Sequence, residues 1–256
     1  MTQILGIVNV TPDSFWSGSR VQDRQTLVER VRTMIRQGAD AIDVGGCSTR
    51  PNAIQATGEQ EMERLEWGLD AIREEFPDIM LSVDTYRPRI AERCIREWNV
   101  NMINDVYGGN ADMYQVVAEA GVQYVLMWAE QVKNNPVEEM KLFFADRLIQ
   151  LENAGVNVTE KVILDPGYGF GKTVEQNYTI LAHQDELLAF GLPVLSGLSR
   201  KSMAWKLLGI TPDEALPATV AMNTVALMKG ADWLRVHDVS EAVHTVKIFQ
   251  ALSDYK

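Results

Sequence analysis

Short apolar runs alternate with amphipathic segments along the 256-residue chain. Eight such runs span residues 4–10, 40–44, 79–83, 101–104, 122–127, 161–164, 193–195 and 232–236. They are apolar on both faces, which is typical of strands covered on both sides in a parallel sheet. The pattern therefore predicts eight parallel strands.

The segments between the runs carry helix signals. Apolar residues at helical spacing follow Asp23 and stop at Gly38, and glycine suits the left-handed conformation that ends many helices. Thr57 and Gln60 match a capping box. Residues 211–214 repeat that pattern with a proline at the first helical position, so we expect a helix to begin there.

Helices that separate strands require parallel pairing through right-handed crossovers. A closed TIM-type (β/α)8 barrel usually needs about 250 residues, and the chain contains no linker-like or low-complexity stretch. We therefore expect an α/β protein in which residues 1–256 form a single barrel domain. A doubly wound sheet is the alternative.

The charge and cysteine content of the chain exclude several classes of partner and site. The formal net charge is −11, which disfavours binding to nucleic acid or to an anionic membrane. The two cysteines, Cys47 and Cys94, match neither a disulfide framework nor a zinc motif, and Cys94 falls on an apolar helix face where we expect a buried thiol. The first residues lack a basic leader and a long apolar stretch, so we expect a cytoplasmic protein without a membrane span.

Polar residues follow most of the predicted strands, and in a barrel these positions form the active site. Hydrogen-bond acceptors come at Asn9, Asp43, Asp84, Asn104 and Asp165, and cationic or imidazole side chains at Arg50, Arg200, Lys201, Arg235 and His237. Taken singly, each could be a turn residue or a solvated surface charge. Together they predict a pocket for a flat nitrogen heterocycle that carries a phosphate or carboxylate group.

Residues 165–173 read DPGYGFGKT and nearly match a nucleotide-binding P-loop. The P-loop pattern requires glycine where Pro166 stands, and proline lacks the N–H that would contact phosphate. The sequence therefore disfavours a nucleotide triphosphatase and leaves Lys172 as an exposed lysine near a helix start. His183 and His244 lie inside helical patterns, where we expect no catalytic role.

Seven blocks of the sequence resemble motifs of the dihydropteroate synthases, in the family's order and over nearly the whole chain. These blocks are GIVNVTPDSF (6–15), DVGG with STRP (43–51), SVDT (82–85), INDV (103–106), DPGYGFGK (165–172), GLSRKS (197–202) and RVHDV (235–239). The resemblance implies a transferase of folate biosynthesis that joins 6-hydroxymethyl-7,8-dihydropterin diphosphate to p-aminobenzoate with loss of diphosphate. It also implies a homodimer and a requirement for Mg²⁺.

The resemblance further implies roles for individual residues. The implied pterin site comprises Asp84, Asn104, Met127, Asp165, Phe170 and Lys201. The implied diphosphate site comprises Asn9, Thr49, Arg235 and His237, with Mg²⁺ at Asn9. The implied p-aminobenzoate site comprises Phe15, Arg50, Pro51, Ser199 and Arg200. The implied catalytic residues are Asp43, Arg50, Asp165 and Lys201.

The sequence departs from the family pattern at three places. Ser17 stands where an acidic residue is common, Cys47 where glutamate is common, and residues 128–131 read WAEQ where His-Met-x-Gly is usual. These departures leave open a pterin-binding paralogue without synthase activity. A folate-dependent methyltransferase on a related barrel is a further alternative, which the residues 199–201 and 49–51 disfavour.

Overall fold

The computed structural model describes residues 2–10, 23–47, 56–253 and 255. The strands are β1 (Gln3–Asn9), β2 (Ala41–Gly45), β3 (Met80–Asp84), β4 (Met102–Asp105), β5 (Gln123–Met127), β6 (Val162–Asp165), β7 (Leu195–Ser196) and β8 (Trp233–Val236). The helices are α1 (Arg24–Gln37), α2 (Gly58–Glu75), α3 (Pro88–Trp98), α4 (Ala111–Ala120), α5 (Pro136–Asn153), α6 (Val158–Lys161), α7 (Val174–Ala182), α8 (Ser202–Leu208), α9 (Leu216–Met228) and α10 (Val239–Ser253). A 3-10 helix spans Gln184–Phe190.

The eight strands form one parallel sheet that closes on itself. The hydrogen-bonded order is β6-β5-β4-β3-β2-β1-β8-β7. A parallel bridge between Leu164 and Val194 joins the two ends, and the Leu164 N–H donates to the Pro193 carbonyl at 2.8 Å. A doubly wound sheet would leave two open edges, so the predicted (β/α)8 barrel is confirmed.

The barrel interior has an apolar floor and a polar layer above it. The floor is a separate core cluster of Leu5, Ala41, Met102, Val125, Ile163, Leu195 and Trp233. Side chains in a strand alternate between the two faces, so the position two residues further along a strand also points inward. Those positions place Asp43, Asn104, Asp165 and Arg235 above the floor, at the carboxyl ends of their strands.

Helices α1 and α2 begin and end where the sequence predicts. The Asp23 carboxylate accepts from the Thr26 N–H, and Gly38 closes α1 with a φ of 103°. Thr57 and Gln60 form the predicted capping box at the start of α2. None of the helices in the described part of the chain is long and apolar enough to cross a membrane.

The prediction that a helix begins at residues 211–214 is wrong. The Thr211 N–H does bond the Glu214 carboxylate at 2.9 Å, but residues 212–214 form only a turn. The helix, α9, starts at Leu216, with Pro217 in its first turn. Proline lacks the N–H that a helix interior needs, so Pro217 fits the first turn of a new helix but not the interior of one that began at Pro212.

Candidate active site at the carboxyl end of the barrel

A buried ion-pair network occupies the centre of the polar layer. The Arg235 guanidinium on β8 lies 2.6 Å from the Asp43 carboxylate on β2 and 2.7 Å from the Asp84 carboxylate on β3. Asp43 is wholly buried and also accepts from the Ser82 hydroxyl at 2.6 Å. Asp43 therefore fixes Arg235 from below the pocket. The catalytic role that the family resemblance implies for Asp43 stays a prediction.

Asn104 presents an unsatisfied acceptor in this layer. Its side-chain N–H₂ donates to Asp43 at 3.1 Å, which fixes the orientation of the amide. Its Oδ1 is buried and accepts no hydrogen bond from any residue that the structure describes. A buried acceptor without a partner is costly, so this oxygen points to a donor supplied by a ligand.

The carboxyl group of Asp84 lies beside Asn104 in the strand register. Burial raises the pKa of Asp84 to about 7, and the nearby Asp43 and Asp105 carboxylates add to the shift while Arg235 and Lys201 oppose it. A carboxyl poised near neutrality in a pocket is typical of a functional site.

The third acceptor, Asp165, ends β6 near a half-buried lysine, Lys201. The Gly167 N–H donates to Asp165 Oδ1 at 2.8 Å. Burial raises the pKa of Asp165, and the charge of Lys201 opposes that rise. Burial lowers the pKa of Lys201 to about 8. Lys201 Nζ lies 4.3 Å from the centre of the Phe170 ring, so the ring and the ammonium share one wall of the pocket.

Met127 completes this side of the pocket. It is buried at the end of β5 and pairs with Asp165 in the strand register. The described residues predicted to bind a pterin lie at the ends of β3 to β6 or in the loops after β6 and β7: Asp84, Asn104, Met127, Asp165, Phe170 and Lys201. Acceptors, a flat apolar wall and one ammonium suit a flat heterocycle with several N–H groups.

His237 and Ser199 lie together at the ends of β8 and β7. The Ser199 hydroxyl lies 3.1 Å from His237 Nδ1 and accepts from the His237 main-chain N–H at 3.2 Å. Burial and the positive charges of Arg235 and Arg30 lower the pKa of His237 well below its usual value. The imidazole is therefore neutral at physiological pH and contributes hydrogen bonds, not charge, to this side of the site.

Arg200 is directed away from the pocket centre. Its guanidinium forms a two-point contact with Asp238 at 2.9 and 3.0 Å and donates to the carbonyls of Pro212 and Asp213 at 3.0 and 2.8 Å. Its φ of 54° is unusual for a residue other than glycine, and its N–H donates to the Thr219 hydroxyl at 3.0 Å. These contacts hold the loop that carries Ser199 and Lys201.

Lys172 differs from the sequence expectation of an exposed lysine. It is half-buried, and its ammonium donates to the carbonyls of Trp128, Gly167 and Phe170. Burial lowers the pKa of Lys172 to about 7, but three carbonyl acceptors stabilise the charged form. The sequence analysis also missed Ser82 as a site residue, although a serine in an otherwise apolar strand was a usable signal.

Asn9 is the predicted metal ligand, and its surroundings fit a cation site to which the protein supplies few ligand atoms. Its Oδ1 lies at the end of β1, where a side chain added at Gly45 would approach it to 3.1 Å. Within the described residues, no group of three or more His, Cys, Asp or Glu side chains could hold a metal ion. Mg²⁺ commonly takes one or two protein oxygens and completes its shell with water and substrate phosphates, so a single amide oxygen such as Asn9 Oδ1 fits it.

Several predicted positions lie outside the described residues: Phe15, Ser17, Thr49, Arg50 and Pro51. The neighbouring Cys47 is described and is a buried free thiol. Cys94 is buried as predicted, and burial raises its pKa to about 12. His183 and His244 are exposed on the outside of the barrel.

Comparison with known proteins places the chain in a family. The model of a family described as pterin-binding enzymes matches residues 5–237. The dihydropteroate synthase of Clostridium beijerinckii is 41% identical, over 96% of this chain and 93% of that protein. The dihydropteroate synthase of Escherichia coli K12 is 36% identical, over 97% and 90% of the two chains.

Solved structures agree with the sequence relatives. The Yersinia pestis dihydropteroate synthase in a sulfonamide drug complex has a TM-score of 0.93 at 33% identity, covering 100% of this chain and 95% of that one. The Clostridium difficile enzyme solved in the presence of pteroic acid has a TM-score of 0.91 at 35% identity, covering 98% and 96%. The Xanthomonas albilineans enzyme with 4-aminobenzoic acid has a TM-score of 0.90 at 35% identity, covering 98% and 93%. The chain therefore belongs to the pterin-binding enzyme family and, within it, to the dihydropteroate synthases.

Proposed function

We propose that the barrel catalyses the condensation of 6-hydroxymethyl-7,8-dihydropterin diphosphate with p-aminobenzoate to give 7,8-dihydropteroate and diphosphate. The relatives solved with pteroic acid, 4-aminobenzoic acid and a sulfonamide support these two substrates. The observation that carries the proposal is the buried Asn104 Oδ1, which accepts no bond from any described residue and belongs to β4, between the strands that end in the acceptors Asp84 and Asp165.

Pterin recognition follows from the chemistry of this pocket. The pterin edge bears an exocyclic amine and a ring N–H, which are donors that Asp84, Asn104 and Asp165 can accept. The pterin also carries a carbonyl oxygen and ring nitrogens, which the Lys201 ammonium can contact. Phe170 and Met127 supply apolar surfaces for the flat ring.

The diphosphate lies on the opposite side of the pocket in this proposal. Arg235 and His237, on or just after β8, would contact it, with Asn9 at the end of the neighbouring strand β1. Asn9 would hold Mg²⁺, which would supply positive charge to offset the charge on the leaving diphosphate. Asp43 and Asp84 keep the Arg235 guanidinium oriented, since both carboxylates lie within 2.7 Å of it.

The reaction replaces a carbon–oxygen bond with a carbon–nitrogen bond. The bond between the pterin methylene and diphosphate breaks, and the electron pair leaves with the diphosphate oxygen. The neutral aryl amine of p-aminobenzoate then donates its lone pair to the methylene carbon and releases one proton to solvent. The Asp165 carboxylate stabilises the positive charge that develops on the pterin, because it is fixed in a buried pocket before the reaction begins.

The p-aminobenzoate site depends in part on residues outside the described ranges. Phe15, Arg50 and Pro51, together with Thr49 near the diphosphate, keep the roles that the resemblance implies as proposals. Ser199, which is buried and contacts His237 through its hydroxyl, keeps the role near the aminobenzoate carboxylate that the resemblance implies. Arg200 acts indirectly in this proposal, because its guanidinium is bound to Asp238 and to two carbonyl oxygens.

The cellular setting is also proposed. We assign the protein to the cytoplasm and to a homodimer, as the family resemblance implies. Helices α9 and α10 pack on each other and expose apolar side chains, with Met228 72% and Ile248 66% exposed. An apolar face of this kind is suited to a second copy of the chain.

The experiment that tests the function is turnover by the wild type and two site variants. Lys201→Ala removes the ammonium, and Asp165→Asn removes the carboxylate charge. We expect dihydropteroate formation to fall below one hundredth of the wild-type rate in both, since each residue contacts the reacting pterin. Circular dichroism must show an intact fold. Near-normal turnover in either folded variant would contradict the site.

A further inference from the structure

Three main-chain carbonyl oxygens converge on one ammonium beneath the pocket. Lys172 Nζ donates to the carbonyls of Trp128 at 2.7 Å, Gly167 at 3.0 Å and Phe170 at 3.0 Å. The same nitrogen lies 4.2 Å from the centre of the Trp128 ring. An ammonium has three N–H donors, so each has a carbonyl partner. The proposed chemistry of the pocket gives this lysine no role.

The ammonium joins two segments whose backbones are in direct contact. Trp128 follows the end of β5, whereas Gly167 and Phe170 belong to the loop between β6 and α7. A Cβ added at Gly167 would lie 1.9 Å from the Trp128 oxygen, and one added at Gly171 would lie 2.8 Å from the Ala129 oxygen. The segments therefore place several carbonyl dipoles side by side. A positive charge between them offsets their mutual repulsion.

Short contacts connect this ammonium to the pterin pocket. Gly167, whose carbonyl accepts from Lys172, donates its own N–H to Asp165 at 2.8 Å. Phe170, whose carbonyl also accepts from Lys172, carries the ring that faces the Lys201 ammonium. A displacement of the loop would move both Asp165 and Phe170.

Trp128 connects the ammonium to a feature particular to this sequence. It is the first residue of the WAEQ segment, where the family resemblance leads one to expect histidine, and its side chain is almost fully buried. The indole provides a negative ring face to the ammonium. The main-chain carbonyl and the indole ring of Trp128 thus both contact the Lys172 ammonium.

We propose that Lys172 is a positioning residue for the pterin site, whose ammonium acts as an internal cation that fastens the β6–α7 loop to the end of β5. The inference rests on the proposed pterin chemistry of the barrel. It assigns no contact between Lys172 and the substrate. The lysine acts through Gly167 on Asp165 and through the main chain on Phe170.

The test replaces the side chain and restores the cation from solution. Lys172→Ala removes the ammonium and leaves space for a small alkylammonium ion. We expect the dissociation constant of 6-hydroxymethyl-7,8-dihydropterin, measured by titration calorimetry, to rise at least tenfold. Added n-propylammonium should recover most of that loss. Tetramethylammonium carries the same charge without an N–H donor and should recover none. Lys247→Ala, an exposed lysine on α10, is the matched control and should bind the pterin as the wild type does.

The outcomes separate this inference from the proposed function. Wild-type pterin affinity in Lys172→Ala, or a loss that both salts recover equally, would overturn the positioning role. A loss that neither salt recovers would also count against an internal cation. If Lys172→Ala folds only when n-propylammonium is present, the inference is supported. If the same variant folds in neither salt, the inference is overturned. A wild type that binds pterin but forms no dihydropteroate contradicts the proposed function alone.

Discussion

Replacement of Asp43 by asparagine tests the buried ion-pair network that Arg235 forms with Asp43 and Asp84. The carboxylate is wholly buried and accepts from the Ser82 hydroxyl at 2.6 Å, the Asn104 amide at 3.1 Å and Arg235 Nε at 2.7 Å. Asparagine removes the negative charge and turns one acceptor into a donor. Facing Arg235 or the Asn104 amide, the new N–H₂ would oppose another donor, and facing Ser82 it would require that hydroxyl to reverse and accept. We therefore expect Asp43→Asn to lose both stability and pterin affinity.

The size of the loss follows from the burial of the pair. Removal of one partner from a buried ion pair costs about 3–5 kcal/mol. Asp84 still balances the charge of Arg235 at 2.7 Å, which favours the lower end, about 3 kcal/mol. In a chain of this size each kcal/mol lowers the midpoint of thermal unfolding by roughly 2–4 °C, so we expect a decrease of about 6–12 °C.

Thermal unfolding followed by circular dichroism measures this decrease. The matched control is Asp185→Asn, the same substitution in an exposed ion pair with Lys229. Exposed pairs contribute little, so the control should unfold close to the wild-type midpoint. If Asp43→Asn unfolds at the same temperature as the control, the account of a buried network that positions Arg235 is wrong.

Three further predictions address the pocket and its surroundings. Gly167→Ala should abolish pterin binding in calorimetry, because its φ is 68° and the new Cβ would lie 1.9 Å from a main-chain oxygen; Gly155→Ala, with φ 92° and open space around it, should bind normally. The kcat/KM for pterin diphosphate should rise with pH through a pKa of about 7 as Asp84 ionises, and fall at higher pH as Lys172 and Lys201, with pKa values of about 7 and about 8, lose their protons. The residual activity of Asp84→Asn should lack the acidic limb of that profile, and a retained limb would assign it to another group. Cys47→Ala should keep substantial activity in the same assay, since the proposed substrate contacts come from other residues, and a large loss would show that the thiol contributes.

The barrel could be predicted from the sequence because its signal is repeated in every unit. The eight apolar runs mark the eight strands, yet several predicted strands end too early. β3, β4 and β6 extend one residue beyond the predicted runs, to Asp84, Asp105 and Asp165. The backbones of these three aspartates still pair with neighbouring strands, but their side chains are polar. The apolar pattern in the sequence therefore ends before the strand does.

The site could be predicted only in part. Side chains alternate between the two faces of a strand, so once the barrel is known the sequence predicts that Asp43 and Arg235 point into its interior. The partners of each side chain depend on contacts between distant strands, which no single strand encodes. The sequence places Arg200 near a substrate carboxylate, but its guanidinium binds Asp238 because the loop conformation sets its direction. The sequence places Lys172 in solvent, but its ammonium binds carbonyls that come from two different loops.

The most direct test of the central claim compares two products in one reaction. Purified protein is incubated with 6-hydroxymethyl-7,8-dihydropterin diphosphate and Mg²⁺, with and without p-aminobenzoate, and both diphosphate and dihydropteroate are quantified. We expect equal amounts of the two products, formed only in the presence of p-aminobenzoate. Bound pterin with no dihydropteroate at any p-aminobenzoate concentration would contradict the account and identify a barrel that binds pterin without synthase activity.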